Sequence, residues 1–93
     1  LVNTDLSHAN LSNANLSKTY MNGARLTGAL LVGAKFSLAE LELADFAGAI
    51  FQDVELSGAY LLHALVTEEQ LKGARLCKTV MPDAKISNRD CEN

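Results

Sequence analysis

The sequence is short of most features that announce a chemistry. Eight basic residues against eleven acidic ones leave a net charge of only −3 over 93 residues, with no stripe of Lys or Arg. Direct nucleic-acid binding, which rests on such a stripe, is thereby disfavoured. No apolar run approaches the ~18–20 residues that a membrane-spanning helix needs, and no signal peptide is visible. The two cysteines, Cys77 and Cys91, form no C-x-x-C pair, so the usual zinc spacing is missing. Six glycines follow neither the G-x-G-x-x-G nor the Walker pattern, which leaves no phosphate loop. No nucleophile stands beside a base and an orienting group. The expectation is a protein with no catalytic residue, no cofactor and no metal.

What the sequence does have is a five-residue frame. Asn22-Gly23-Ala24-Arg25-Leu26-Thr27-Gly28-Ala29-Leu30-Leu31-Val32-Gly33-Ala34-Lys35-Phe36 contains one unit three times: Gly, Ala, a variable residue, a large apolar residue, a variable residue. In that frame every fifth position from Leu1 to Cys91 is apolar, with Leu, Met, Phe, Val or Ile at all the others. Two places earlier Ala recurs twelve times, and all six glycines fall one place before that small position.

A period of five fits neither regular element. On an α-helix five residues advance about 140° beyond a full turn, so the apolar set would smear around the cylinder. On a strand an odd repeat would send successive leucines to opposite faces. The two are reconciled if Ala and the large residue point the same way along a short extended piece and the next two residues turn the chain. Gly at the second turn position suits a type II turn, where that residue needs φ > 0. Where Asn, Asp, His or Lys replaces it, the expectation is a type I or irregular turn. A chain that turns every five residues with one side always inward is a β-solenoid.

Charge sets the size of the coil. Stacked residues lie about 4.8 Å apart, so opposite charges should meet and like charges should not. At a spacing of twenty, Asp5, Arg25 and Asp45 alternate, as do Lys35, Glu55 and Arg75. A spacing of fifteen gives poorer columns, such as Asp5, Tyr20 and Lys35. Four units per coil, hence a square coil, is the better reading.

The units Ala9-Asn10-Leu11-Ser12-Asn13, Ala14-Asn15-Leu16-Ser17-Lys18 and Ala44-Asp45-Phe46-Ala47-Gly48 match the signature A-(D/N)-L-X-X, and over essentially its whole length the chain resembles the pentapeptide-repeat proteins. The resemblance implies an all-β fold, a right-handed quadrilateral parallel β-helix. The expected layout is a single domain over residues 1–93, with four repeats per coil in about four to five coils. Regular coils run over about 1–81 and a closing tail over about 82–93. Four interior columns follow, one of them Leu6, Leu26, Phe46, Val66 and Ile86, and the three Phe belong to the core rather than to a cofactor box. His8 and His63 then point outward on different faces.

Two stretches break the frame. In Val66-Thr67-Glu68-Glu69-Gln70-Leu71 the frame would put Glu69 inward, where an unpaired carboxylate is costly. Thr67-x-x-Gln70 has capping-box spacing, so a single helical turn would swing Glu69 outward. Pro82 cannot donate a ladder hydrogen bond, and Arg89 at a small inward position is a second sign that the coil has ended. The run from Leu76 through Met81-Pro82-Asp83 to Arg89-Asp90-Cys91 is similar to the C-terminal closure of cyanobacterial and chloroplast members of the family, with Ala84 where those usually have Gly. That resemblance implies a disulfide between Cys77 and Cys91. In a regular coil their Cα atoms would lie beyond the ~7 Å bridging limit, so the bond requires the tail to leave the helical path. The alternatives are a buried free thiol at Cys91 and an incidental surface Cys77. A bond would favour the periplasm or the thylakoid lumen, and free thiols the cytoplasm.

For function the sequence offers surfaces. Leu30 and Ile50 sit outward one coil apart beside Val32, and Leu38, Leu43, Leu62 and Leu65 add exposed apolar area, which suits an unspecified protein partner. The first coil shows bare leucines and unpaired backbone, an invitation to a homodimer or to end-to-end stacking. Because the chain begins at Leu1 inside the repeat rather than at a start Met, a processed mature form or an artificial boundary is expected. The leading expectation is a non-catalytic structural or protein-interaction module. The alternative, implied by the family, is a DNA mimic that modulates an enzyme such as gyrase. The basic residues Arg25, Lys35 and Arg75 within the ladders count against it.

Overall fold

The computed structural model describes residues 1–91; the last two positions of the anticipated tail, 92 and 93, lie outside the described residues. The chain winds into a solenoid measuring 36 × 23 × 22 Å along its principal axes. Parallel single-residue bridges join positions twenty apart: Asp5 to Arg25, Asn10 to Leu30, Asn15 to Lys35, Tyr20 to Glu40, and onward to Tyr60 with Val80. Where the pairing widens to two residues it forms β1 (Val54–Glu55), which pairs in parallel with β2 (Ala74–Arg75). The twenty-residue register inferred from charge is therefore the observed one. It stacks Asp5, Arg25 and Asp45, and Lys35, Glu55 and Arg75.

The core is a stack of the recurring residues. Met21, Leu26, Leu31, Phe36, Leu41 and Phe46 are fully buried, as are Ala24, Ala29, Ala34, Ala39 and Ala44 between them. Small and large side chains thus alternate along the inner wall and fill the bore without overpacking. Phe46 stands edge-on to both Phe36 and Phe51, at centroid distances of 6.3 and 5.3 Å, the favoured geometry for aromatic pairs. Thr79 takes a small position and is fully buried. Its hydroxyl donates to the Leu56 carbonyl at 2.7 Å and accepts from the Cys77 N–H at 3.1 Å, so the polar atom is satisfied.

The corners differ from expectation in one respect. Asn3, His8, Asn13, Lys18, Leu38, Leu43, Asp53, His63 and Lys78 all have φ between 53 and 63°, the same left-handed region as the glycines of equivalent position. Positive φ at the second turn residue excludes type I. Most of these turns are closed by an N–H to C=O bond three residues back, such as Ala9 to Leu6 at 3.1 Å and Ala39 to Phe36 at 3.0 Å, whereas after Asp53 the Val54 N–H donates to Gly73 O at 3.0 Å. The ladder also binds the corner residue itself, as with the His8 N–H to Thr27 O at 2.9 Å. Coil closure sets the turn type and overrides the residue's own preference, at a cost of about 1 kcal/mol for a non-glycine residue.

The Asp or Asn of the signature has a local task. The side chains of Asp5, Asn10, Asn15 and Asp45 accept from the N–H two residues ahead, at 2.9, 3.1, 3.1 and 2.9 Å. That N–H belongs to the first turn residue. An acceptor of that length at that position therefore holds the corner as an Asx-turn does.

The break at 66–71 is the anticipated capping box. Thr67 caps α1 (Glu68–Leu71), its hydroxyl accepting from the Gln70 N–H at 3.0 Å while the Gln70 side chain accepts from the Thr67 N–H at 2.9 Å. Glu69 faces solvent and pairs with Lys72 at 3.1 Å. The interior column of Leu6, Leu26, Phe46, Val66 and Ile86 is corrected at its end: Ile86 is not in the core but 64% exposed. After Pro82 the chain reverses, and β3 (Thr79–Val80) pairs with β4 (Ile86–Ser87) in antiparallel register. The reversal needs a left-handed residue, and Ala84 supplies it at φ 73°.

Candidate interaction surface

Leu30 and Ile50 lie on one flat face as ladder neighbours. The Leu30 N–H donates to Ala9 O at 2.9 Å, and the Ile50 N–H to Ala29 O at 2.9 Å. With the backbone fixed on both sides, the two side chains are displayed on a stiff support. Ile50 is 54% exposed, whereas Leu30 and Val32 are half-buried. The strip is bounded by Asn10 on the preceding coil and, on the following one, by α1 and Gln70.

Gln70, read from the sequence as a capping residue, has a second role that the sequence did not disclose. In the regular ladder the N–H of its position would donate to Ala49 O, as Ile50 does to Ala29 O. The helical turn removes that N–H, and the Gln70 side-chain amide donates instead to Ala49 O at 3.0 Å and to Phe46 O at 2.8 Å. One side chain thus caps the helix and repairs the sheet edge beside Ile50.

The far end of the solenoid is sealed. Cys77 and Cys91 form a disulfide with their Cα atoms 4.8 Å apart. That approach is open to them because the tail folds back after Pro82. Four tail residues, Lys85, Asn88, Arg89 and Asp90, then satisfy edge groups of the last coil. The Lys78 N–H donates to Asn88 Oδ1 at 2.9 Å, the Leu76 N–H to Asp90 Oδ2 at 2.9 Å, and the Met81 N–H to Lys85 O at 2.7 Å. The Arg89 guanidinium donates to the carbonyls of Leu71, at 3.1 Å, and Ala74. It also pairs with the neighbouring Asp90 carboxylate at 2.8 Å. This arginine and the Leu76 N–H hold the Asp90 carboxyl below its ordinary pKa. Arg89 departs from the small inward pattern because it caps carbonyls, which its planar array of donors suits.

Beside the seal lies an open cleft of about 600 Å³ lined by Asp53, Glu55, Lys72, Arg75, Arg89 and Asp90, among others. Charges of both signs line it, and Arg89 and Asp90 are already committed to each other. His8 and His63 are exposed at corners. Among the described residues no group of three or more His, Cys, Asp or Glu gathers to hold a metal ion. No helix among them is long and apolar enough to cross a membrane. Further apolar side chains stand on the surface, among them Leu38, Leu43 and Leu65, 57%, 60% and 61% exposed, and Tyr20, 65% exposed.

Comparison with known proteins accounts for the architecture. The family model for pentapeptide repeats matches residues 1–37 and 24–61. None of the curated proteins matches the chain. Among solved structures, a pentapeptide repeat protein of the cyanobacterium Cyanothece aligns with a TM-score of 0.69 at 30% identity, covering 92% of this chain and 55% of that one. HetL of Nostoc, described as involved in the regulation of heterocyst differentiation, aligns with a TM-score of 0.50 at 33% identity, covering 94% of this chain and 40% of that one. A thylakoid-lumen pentapeptide repeat protein of Arabidopsis thaliana shares the fold with a TM-score of 0.63 at 23% identity, over 95% of this chain and 68% of that one. The chain thus spans little more than half the length of the Cyanothece protein. The architecture common to them is the right-handed quadrilateral β-helix.

Proposed function

Because the chain belongs to the pentapeptide-repeat family, we propose that it is a non-catalytic module of about four to five square coils that holds a protein partner against one rigid β-face. The observation that carries the reading is the strip formed by Leu30, Val32 and Ile50. On a face whose neighbours are Asn10 and Gln70, it sets two branched aliphatic side chains in ladder register and leaves Ile50 54% exposed. Apolar side chains on a preorganised support favour binding because little conformational entropy is lost on docking. The paired cysteines favour an oxidising compartment such as the periplasm or the thylakoid lumen. Mixed charge columns, with Arg25 between Asp5 and Asp45, disfavour imitation of the uniformly anionic DNA backbone.

The test is in-cell crosslinking of the wild-type chain, identification of the partner, and binding of purified partner to Leu30→Ser/Ile50→Ser. The reading expects at least about a tenfold loss of affinity with an unchanged unfolding midpoint. Undiminished association would refute the strip as the docking face.

A further inference from the structure

The outward acidic residues of the ladder stack on bases, with one exception. Asp5 and Asp45 flank Arg25, and Glu55 lies between Lys35 and Arg75. The ladder neighbours of Glu40 are Tyr20 and Tyr60. Nor does its carboxylate hold a turn. Asp5, Asp45 and Glu55 each accept from the N–H two residues ahead, at 2.9, 2.9 and 3.1 Å. The equivalent N–H, that of Glu42, donates instead to Asn22 Oδ1 at 3.2 Å, one coil back. Among the described residues the Glu40 side chain therefore has neither a hydrogen bond nor an ion pair, although the residue is half-buried. Apolar side chains surround it. Leu38 and Leu43 are exposed at the corners on either side, and Tyr60 and Leu62 are half-buried one coil on. Gly58 makes room for Leu38, since a Cβ there would meet Leu38 Cδ2 at 2.6 Å. Both coils lie inside the stack: the Glu40 N–H donates back to Thr19 O at 2.9 Å, and the Leu61 N–H forward to Val80 O at 2.7 Å.

A half-buried carboxylate without a counter-ion, beside a tyrosine and between leucines, is complementary to a guanidinium. That planar ion forks two N–H donors onto a carboxylate while its flat surface lies against an aromatic ring. Ladder neighbours stand about 4.8 Å apart, which puts Glu40 and Tyr60 within reach of one such group. We propose that this face binds an arginine side chain of a partner protein, presented on an extended segment with apolar residues on each side. Glu40 takes the charge, Tyr60 takes the plane of the guanidinium, and the flanking apolar residues cover Leu38 and Leu43. The backbone under the patch is fixed by the ladder, so little order has to be gained on docking. Lys18 and Lys78, in the corner column of Leu38, disfavour a segment with several basic residues. Asp5, Asn10, Asn15 and Tyr20 begin the four faces in chain order, so the Glu40 face lies opposite the strip of Leu30 and Ile50. The two surfaces are separate, and the chain can hold a partner on each at once.

The probe is a capped peptide, Leu-Ala-Arg-Ala-Leu, which in extended form sets both leucines and the arginine on one side. It is titrated into the isotope-labelled full chain and followed by the backbone amide shifts. Saturable shifts should appear at Leu38, Glu40, Leu43 and Tyr60, with a Kd of about 1 mM, the scale of one charged contact and a small apolar area. Glu40→Gln keeps the shape and removes the charge, and should weaken binding about tenfold. Tyr60→Leu keeps the apolar bulk and removes the ring, and should cost about threefold. The circular dichroism spectrum of each variant checks the fold. A peptide with citrulline, the neutral isostere, in place of arginine should bind about tenfold more weakly. Leu30→Ser/Ile50→Ser, which disables the opposite strip, should leave the affinity for the peptide unchanged. No saturable shift up to about 10 mM, shifts confined to other faces, or equal affinity for the citrulline peptide would overturn the proposal. Binding that neither Glu40→Gln nor Tyr60→Leu weakens, or that Leu30→Ser/Ile50→Ser abolishes, would overturn it equally.

Discussion

Removing the disulfide should loosen one end of the molecule and leave the rest intact. The bonded cysteines are fourteen positions apart, which closes a loop of about 15 residues, and such a loop contributes about 3 kcal/mol at 25 °C through the entropy of the open chain. Coils of a solenoid contact only their neighbours, so a loss at one end is not shared evenly. In Cys77→Ser/Cys91→Ser the tail should therefore detach about a hundredfold more often, since each 1.4 kcal/mol is a factor of ten. Native-state hydrogen exchange reads this residue by residue. Protection of the Lys78, Met81 and Asp90 amides, which bond to or from the tail at 2.9, 2.7 and 2.8 Å, should fall by about two orders of magnitude. The Leu31 and Leu41 amides, bonded to Ile50 O at 3.0 Å and Tyr60 O at 2.8 Å, should change by less than about threefold. Equal losses at both sets would show that the tail folds as one unit with the coils. No change at the tail amides would show that Asn88, Arg89 and Asp90 hold it without help.

Two further perturbations follow from the caps. Gln70→Ala removes the amide donor to Ala49 O at 3.0 Å and to Phe46 O at 2.8 Å, which keeps only the Ala49 N–H at 2.9 Å, and removes half of the capping box. It should destabilise the fold by about 2 kcal/mol in urea unfolding, and a loss within error would show that water replaces the amide. Asp90 has its carboxyl pKa lowered from 3.8 by Arg89 and by the Leu76 N–H. The stability it contributes is therefore present above pH 3.8 and lost as the pH falls through the lower, folded value. Exchange at Leu76 should accelerate over that acid window in the wild type and be insensitive to it in Asp90→Asn.

Much of this architecture is legible in the sequence because its core rule is repeated many times. A small residue, one spacer and a large apolar residue report the inner wall directly, and the Asp5, Arg25 and Asp45 column reports the register. Thr67 and Gln70 announced the helical turn because a capping box is a local device with its own spacing. Legibility ended where a long-range constraint governs a local choice. His8, Lys18, Leu38 and Leu43 adopt φ near 60° because the coil must close there, and nothing in their own preferences says so. Ile86 kept the frame in sequence but left it in space once Pro82 and Ala84 turned the chain. Arg89 and Asn88 read as a polar tail, and their roles appear only when the carbonyls and amides of the last coil are beside them.

The two periods of the chain divide its freedom to change length. Inside, every unit offers an equivalent Ala and a large apolar residue. An insertion or deletion of five residues would hand each inner position to another of its kind. Outside, a residue's neighbours are set twenty positions away, and a five-residue deletion between them would bring Leu30 beside Lys35's former partner, Glu55, while an insertion would bring it beside Asp45, instead of Ile50. The interior reads in fives and the exterior in twenties. Edits of whole coils would lengthen the molecule and preserve its face, while edits of single units would leave a folded solenoid displaying a different surface.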